Sequence, residues 1–123
     1  MIQASALKEQ LENFIRKTPD VEGALLVTYD GLSIASVIPS NLDEERTSAM
    51  SAAMLSLGDR IARELNRGVI ERILVSGEKG YSILVGCGED ILLLTLANSD
   101  AKEGILFLSI KRLVQEIQSL LKD

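Results

Sequence analysis

Apolar residues recur at helical spacing near both ends of the chain and in its middle, and at strand spacing in between. Over residues 3–17, Ala4, Leu7, Leu11 and Phe14 fall on one side of a helix, with Lys8, Glu9, Glu12 and Arg16 on the other. Thr18-Pro19-Asp20 ends that helix, because the residue before a proline is pushed out of the α region. Residues 21–37 carry two apolar runs around Asp30-Gly31, a dipeptide favoured in two-residue primed turns, where both central residues need positive φ. Such a turn sets Tyr29 opposite Leu32, Val27 opposite Ile34 and Leu25 opposite Ser36. One face then holds Leu25, Val27, Tyr29, Leu32 and Ile34. The other holds Ala24, Leu26, Thr28, Ala35 and Val37. A one-sided sheet would alternate cleanly between apolar and polar positions; here both faces are apolar, so layers are expected on both sides.

Pro39-Ser40-Asn41 breaks the second run. Asn41 reads as a helix N-cap with Glu44 in capping-box position, and Asp43, Glu44 and Glu45 put negative charge at the positive end of the helix. This second helix is expected to run to about Asn66, with Gly68 as its C′ residue. It shows two stripes. Met50, Met54, Leu57, Ile61 and Leu65 read as the core side. Ala49, Ala52, Ala53 and Ser56, continued by Arg60 and Arg63, read as a second, small-residue face through which another backbone could come close. Three strands follow at hairpin spacing, at about residues 72–76, 81–87 and 91–97, joined by turns at residues 77–80 and 88–90. Asp100 with Glu103 reads as a capping box. Residues 101–122 then form a last helix with Leu106, Ile110, Leu113, Ile117 and Leu120 on one side. The order is α-β-β-α-β-β-β-α, an α+β fold with five antiparallel strands. No linker or repeat interrupts it, so residues 1–123 read as one domain.

Composition narrows the function classes. Only 3% of residues are aromatic, so the core is aliphatic. Thirteen basic against 18 acidic residues give a net charge of −5, which excludes a nucleic-acid footprint and disfavours an anionic membrane surface. The N-terminal residues are charged throughout, unlike a signal peptide, and no run approaches the ~18 apolar residues of a spanning helix. With no histidine, a Ser-His-Asp triad, a Cys-His pair and histidine-based metal sites are impossible. The single Cys87 reads as a buried small hydrophobe in a reduced, cytoplasmic protein. Gly86-Cys87-Gly88 precedes a strand, whereas a dinucleotide fingerprint precedes a helix, and no P-loop motif is present. The acidic pairs are accounted for by helix starts and turns. Arg60, Arg63 and Arg67 read as favourable charge near a helix C-terminus, as a strip facing a partner, or as an arginine supplied in trans to a phosphoryl-transfer site. No catalytic, cofactor or metal residue is assigned. The small-residue face has no cover left within the monomer, because the far side of the sheet needs both other helices; dimerisation is the expected use.

These residues resemble Roadblock-type domains, the family of the dynein-light-chain Roadblock and MglB proteins. The likeness rests on Val21-Glu22-Gly23-Ala24-Leu25-Leu26-Val27, Asp30-Gly31-Leu32-Ser33-Ile34-Ala35, the Ala-rich second helix, Ile73-Leu74-Val75-Ser76-Gly77 and the three-strand meander. The resemblance implies a sheet of order 2-1-5-4-3, with the second helix on one face and the first and last on the other. It implies a homodimer or heterodimer in which second helices pair and third strands join. Ala49, Ala52, Ala53, Ser56, Arg60 and Arg63 would lie at or near the paired helices, and Ile73, Leu74, Val75 and Ser76 on the joined strand. It also implies a non-enzymatic regulator or scaffold of a small Ras-like GTPase, as MglB is for MglA. A small-molecule sensory domain is the competing expectation, since a sheet covered by helices can hold a ligand.

Overall fold

The computed structural model describes residues 4–122. Its elements are α1 (Ala4–Lys17), β1 (Val21–Thr28), β2 (Ser33–Val37), α2 (Glu44–Glu64), β3 (Ile73–Gly77), β4 (Gly80–Gly86), β5 (Ile91–Asn98) and α3 (Glu103–Leu121). The first helix was expected from residue 3, which lies outside the described residues. The five strands form one antiparallel sheet of order β2-β1-β5-β4-β3, the order that the resemblance implies.

The alternation along β1 divides the core as expected. Ala24 and Leu26 pack with Leu7, Leu11 and Phe14 of α1 and Leu106, Ile110, Leu113 and Ile117 of α3. Leu25 and Val27 face the opposite way and pack with Leu55 of α2 and Leu84, Leu92 and Leu94 of the neighbouring strands. Thr95, on β5 between Ala24 and Ile83, is fully buried, and its hydroxyl has no hydrogen-bond partner. Cys87 is fully buried, and burial pushes its thiol up to about 12.

Four local expectations need correction. The β1–β2 turn is not the two-residue primed form. Gly31 N–H donates to Thr28 O at 2.9 Å, and of the two central positions only Gly31 has positive φ, at 91°. A type I turn closed by a left-handed glycine puts positive φ on glycine alone, so Asp30 keeps an ordinary conformation. The extra residue shifts the register. Leu25 still pairs with Ser36, but Val27 pairs with Ser33, and Ile34 packs on the α1/α3 side with Ala35.

At α2 the N-cap is Asp43, whose carboxylate accepts from Arg46 N–H at 3.0 Å, not Asn41. Glu44 is left free to accept from Ser36 Oγ at 2.6 Å, which ties the start of α2 to the β2 edge. The helix ends at Glu64, and Asn66, with φ 57°, occupies the left-handed C′ position assigned to Gly68. Arg67 N–H to Ala62 O (2.7 Å) and Asn66 N–H to Arg63 O (3.1 Å) complete a Schellman motif. At α3, Asp100 is not the cap. Lys102 takes that position without a side-chain bond, and Asp100 N–H instead donates to Asn98 Oδ1, closing the turn after β5.

Candidate interaction surface

The largest departure from expectation decides which side of α2 meets the sheet. Ser48, Ser51, Leu55 and Ala62 are buried against it, and the five residues expected in the core are not. Met50, Met54, Leu57, Ile61 and Leu65 are 39–60% exposed. The sheet face beneath α2 is already filled by Leu25, Val27, Leu84, Leu92 and Leu94, so the helix sits closest with small residues downward. Two polar ones are tolerated because each finds an acceptor in its own helix: Ser48 Oγ donates to Glu44 O and Ser51 Oγ to Thr47 O, both at 2.8 Å. Gly58 extends the close approach. A Cβ there would lie 2.5 Å from Ile73 Cδ1 and 3.0 Å from Ile70 Cδ1.

The small-residue stripe is exposed, with Ala52 half-buried. Met50, Ala53, Leu57 and Ile61 succeed one another at three- and four-residue steps, so they are neighbours on the helix surface. Large and small side chains thus form one outward strip. Its arginines are paired along the helix, Arg60 with Glu64 and Arg63 with Asp59, on exposed side chains. Pairs of this kind contribute at most ~1 kcal/mol.

β3 continues this surface. It pairs only with β4, so its outer edge carries unpaired backbone groups. Ile73 lies under Gly58 of α2. Val75 shares the α2 side of the sheet and is 47% exposed, Leu74 points to the opposite face, and Ser76 is exposed. The ten residues assigned from the sequence therefore fall on two adjoining features, one flank of α2 and the open edge of β3. The reading missed that Met50, Met54, Leu57, Ile61 and Leu65 belong to the same exposed surface. The sign of it was Ser48, Ser51, Gly58 and Ala62, a second set of small residues at helical spacing.

Chemistry is sparse around this surface. A cleft of about 320 Å³ beside α2 is lined by Tyr29, Ala52, Ser56, Asp59 and Arg63 among others. Burial, then Asp90 and Asp59, raises the Tyr29 hydroxyl above its ordinary pKa. Among the described residues no group of three His, Cys, Asp or Glu side chains is placed to hold a metal ion, and no helix is long and apolar enough to cross a membrane.

Known proteins share this fold. Two uncharacterized proteins of Methanocaldococcus jannaschii are each 32% identical over 106 residues, 86% of this chain and 92% of theirs. Among solved structures, Myxococcus xanthus MglB superposes with a TM-score of 0.89 at 16% identity, covering 97% of this chain and 90% of that one. The Roadblock/LC7 domain of Streptomyces avermitilis gives 0.87 at 18% identity, covering 94% and 98%. The Thermus thermophilus gliding protein MglB gives 0.85 at 21% identity, covering 95% and 89%. The profile of the Roadblock/LC7 domain matches residues 7–97, most of the chain and all of the sheet but the last residue of β5, and the chain belongs to that family.

Proposed function

We propose that this protein is a dimeric, non-enzymatic regulator or scaffold that binds a small Ras-like GTPase and controls its activity or its placement in the cytoplasm. The carrying observation is the strip of large apolar residues on α2 beside the open edge of β3. A contiguous patch of large apolar residues on one helix face is the mark of a contact surface. A second copy, or a related Roadblock-type subunit, fits best, because two such helices cover each other's strips and two β3 edges pair. Ala49, Ala52, Ala53, Ser56, Arg60 and Arg63 flank that contact, and Ile73, Leu74, Val75 and Ser76 form its strand portion. Family membership favours this reading, and so does a solved MglB structure described as having a tetrameric arrangement. The GTPase part rests on the family resemblance, and it agrees with a chain that lacks histidine.

Affinity capture tests it. The immobilised protein is exposed to lysate of the source cell with a non-hydrolysable GTP analogue, or with GDP, and bound proteins are identified by mass spectrometry. A Ras-like GTPase retained in one nucleotide state supports a regulator, and one retained in both supports a scaffold. Absence of any such GTPase under both conditions refutes the GTPase assignment.

A further inference from the structure

On the face of the sheet opposite α2, α3 stands away from the β3–β4 end and leaves a cleft of about 660 Å³, within the range of small-molecule sites. One wall is the Phe107, Lys111, Val114 and Gln118 stripe of α3; the other is Arg72 just before β3, with Val85 of β4. The stripe spans twelve residues, eleven rises of the helix or about 16 Å. Its chemistry is graded along that length. Arg72 sits over the Phe107 ring, 4.4 Å from guanidinium carbon to centroid, with Lys111 one turn along. Val114 follows along α3, with Val85 on the facing wall, and Gln118 closes the far end.

The cations are uncommitted. Among the described residues neither Arg72 nor Lys111 has an ion-pair or hydrogen-bond partner. Stacking on Phe107 orients the guanidinium and leaves its N–H fork free for a carboxylate. Glu71 supplies one carboxylate to the lining, so the local balance is positive in a chain of net charge −5.

We propose that this cleft binds a medium-length organic anion, its acidic head held by Arg72 and Lys111 and its apolar body lying along Val85 and Val114. The cleft lies on the opposite face of the sheet from the α2 strip, and Arg72 immediately precedes the β3 edge.

Octanoate is the test ligand, with octylammonium as its charge-reversed counterpart. Each is titrated into the full chain and followed by amide ¹H–¹⁵N spectra. Octanoate is expected to give saturable shifts at Arg72, Val85, Phe107 and Lys111, and to bind at least tenfold tighter than octylammonium. The preference should weaken with added salt. Because the whole chain repels anions, that preference requires the local cations. The double variant Arg72→Gln, Lys111→Gln is expected to lose it while keeping a native spectrum. Equal binding of the two ligands, or octanoate shifts confined to the α2 strip, overturns the proposal. That comparison needs only the unmodified protein, so it decides the matter even if the variant misfolds. A double variant that keeps the full octanoate preference also overturns it.

Discussion

Replacing Leu57 by Glu puts the α2 strip to its most direct test. Full burial of a large apolar side chain contributes roughly 1.5–3 kcal/mol. Five such residues are each about half exposed, so covering what remains contributes about 1 kcal/mol apiece, or ~10 kcal/mol across a symmetric pair. Lost translational and rotational freedom opposes this by ~4–15 kcal/mol, and the two methionines add ordering costs. The strip alone therefore gives a marginal dimer, which strand pairing along β3 strengthens. Leu57→Glu occurs in both copies. It removes about 2 kcal/mol of burial and sets two carboxylates into the contact, each costing at least ~1 kcal/mol unless the helices part. The expected loss of ~4 kcal/mol weakens association about a thousandfold. The fold should be spared, because the site is exposed and glutamate suits a helix; surface changes of this kind stay within ~0.5 kcal/mol. Sedimentation velocity over a concentration series reads the dissociation constant, and a urea melt of the monomer reads stability. Ser56→Glu, one residue away on the small-residue flank, separates the alternatives. If Leu57→Glu leaves association unchanged while Ser56→Glu abolishes it, the partner packs on the flank and the reasoning from the large strip is wrong. If the unmodified protein is monomeric at every concentration, self-association itself is refuted.

Other consequences follow from the interior. Thr95→Val removes an unpartnered buried hydroxyl at nearly constant volume, so urea denaturation should show stability unchanged or raised by up to ~1 kcal/mol. A loss larger than that would mean the hydroxyl has a partner. Gly80→Ala would set a Cβ 2.2 Å from the Ala97 carbonyl oxygen, a backbone atom that cannot swing aside, at φ 153°. A loss of about 3 kcal/mol or more is expected in a thermal melt, and an unchanged midpoint would contradict the close β4–β5 approach. Cys87 should resist a thiol reagent in the native protein and react at once in denaturant. Its folded pKa is raised, so its contribution to stability is complete below the thiol's ordinary pKa of 9.0 and is lost as pH climbs toward about 12. Equal labelling rates in both states would refute that. The Ser36 hydrogen bond, then Ser33, holds the Glu44 carboxyl below its ordinary pKa. Its contribution is therefore present above the ordinary pKa and lost as pH falls through the lowered one. Ser36→Ala should raise the Glu44 midpoint in a carboxyl NMR titration, and no movement would place the bond elsewhere.

The architecture was readable because strand and helix periods differ, and because both faces of β1 are apolar. Leu25 and Leu26, adjacent and both fully buried, already require cover on two sides. Local caps were less readable. Asn41, Asp43 and Asp100 are all competent cap residues, and the choice falls to contacts with residues that precede each helix: Ser36 draws Glu44, and Asn98 engages Asp100. The faces of α2 were misjudged for a definite reason. Hydrophobic patterning tells how much apolar surface a helix has, and not which part its own sheet can accept. Where the sheet supplies bulky leucines, α2 docks by its serines, glycine, alanine and the single Leu55, and its other large residues turn outward. The cleft beside Arg72 was not visible at all, since residues 72, 85 and 107 meet only through the sheet order.

The unequal covering of the sheet leads to the same partner from a different direction. The α1/α3 side gathers sixteen buried residues drawn from two helices and the strands. The α2 side has an apolar cluster of six, to which the helix contributes Leu55, its other buried residues being Ser48, Ser51 and Ala62. α2 covers β3 at Ile73, under Gly58, but leaves Val75 two residues on half exposed on the same face. A monomer could resolve this by making β3 and the outer side of α2 polar. This chain does the reverse: it places Leu74 and Val75 on the edge strand, and Met50, Leu57 and Ile61 on the outer helix surface. Each addition raises the cost of standing alone, and each loses that cost when a second helix lies beside the first and a second strand adds to the edge. One partner of the same shape would supply both covers at once, and for that reason a second Roadblock-type subunit is proposed over a ligand or an unrelated peptide.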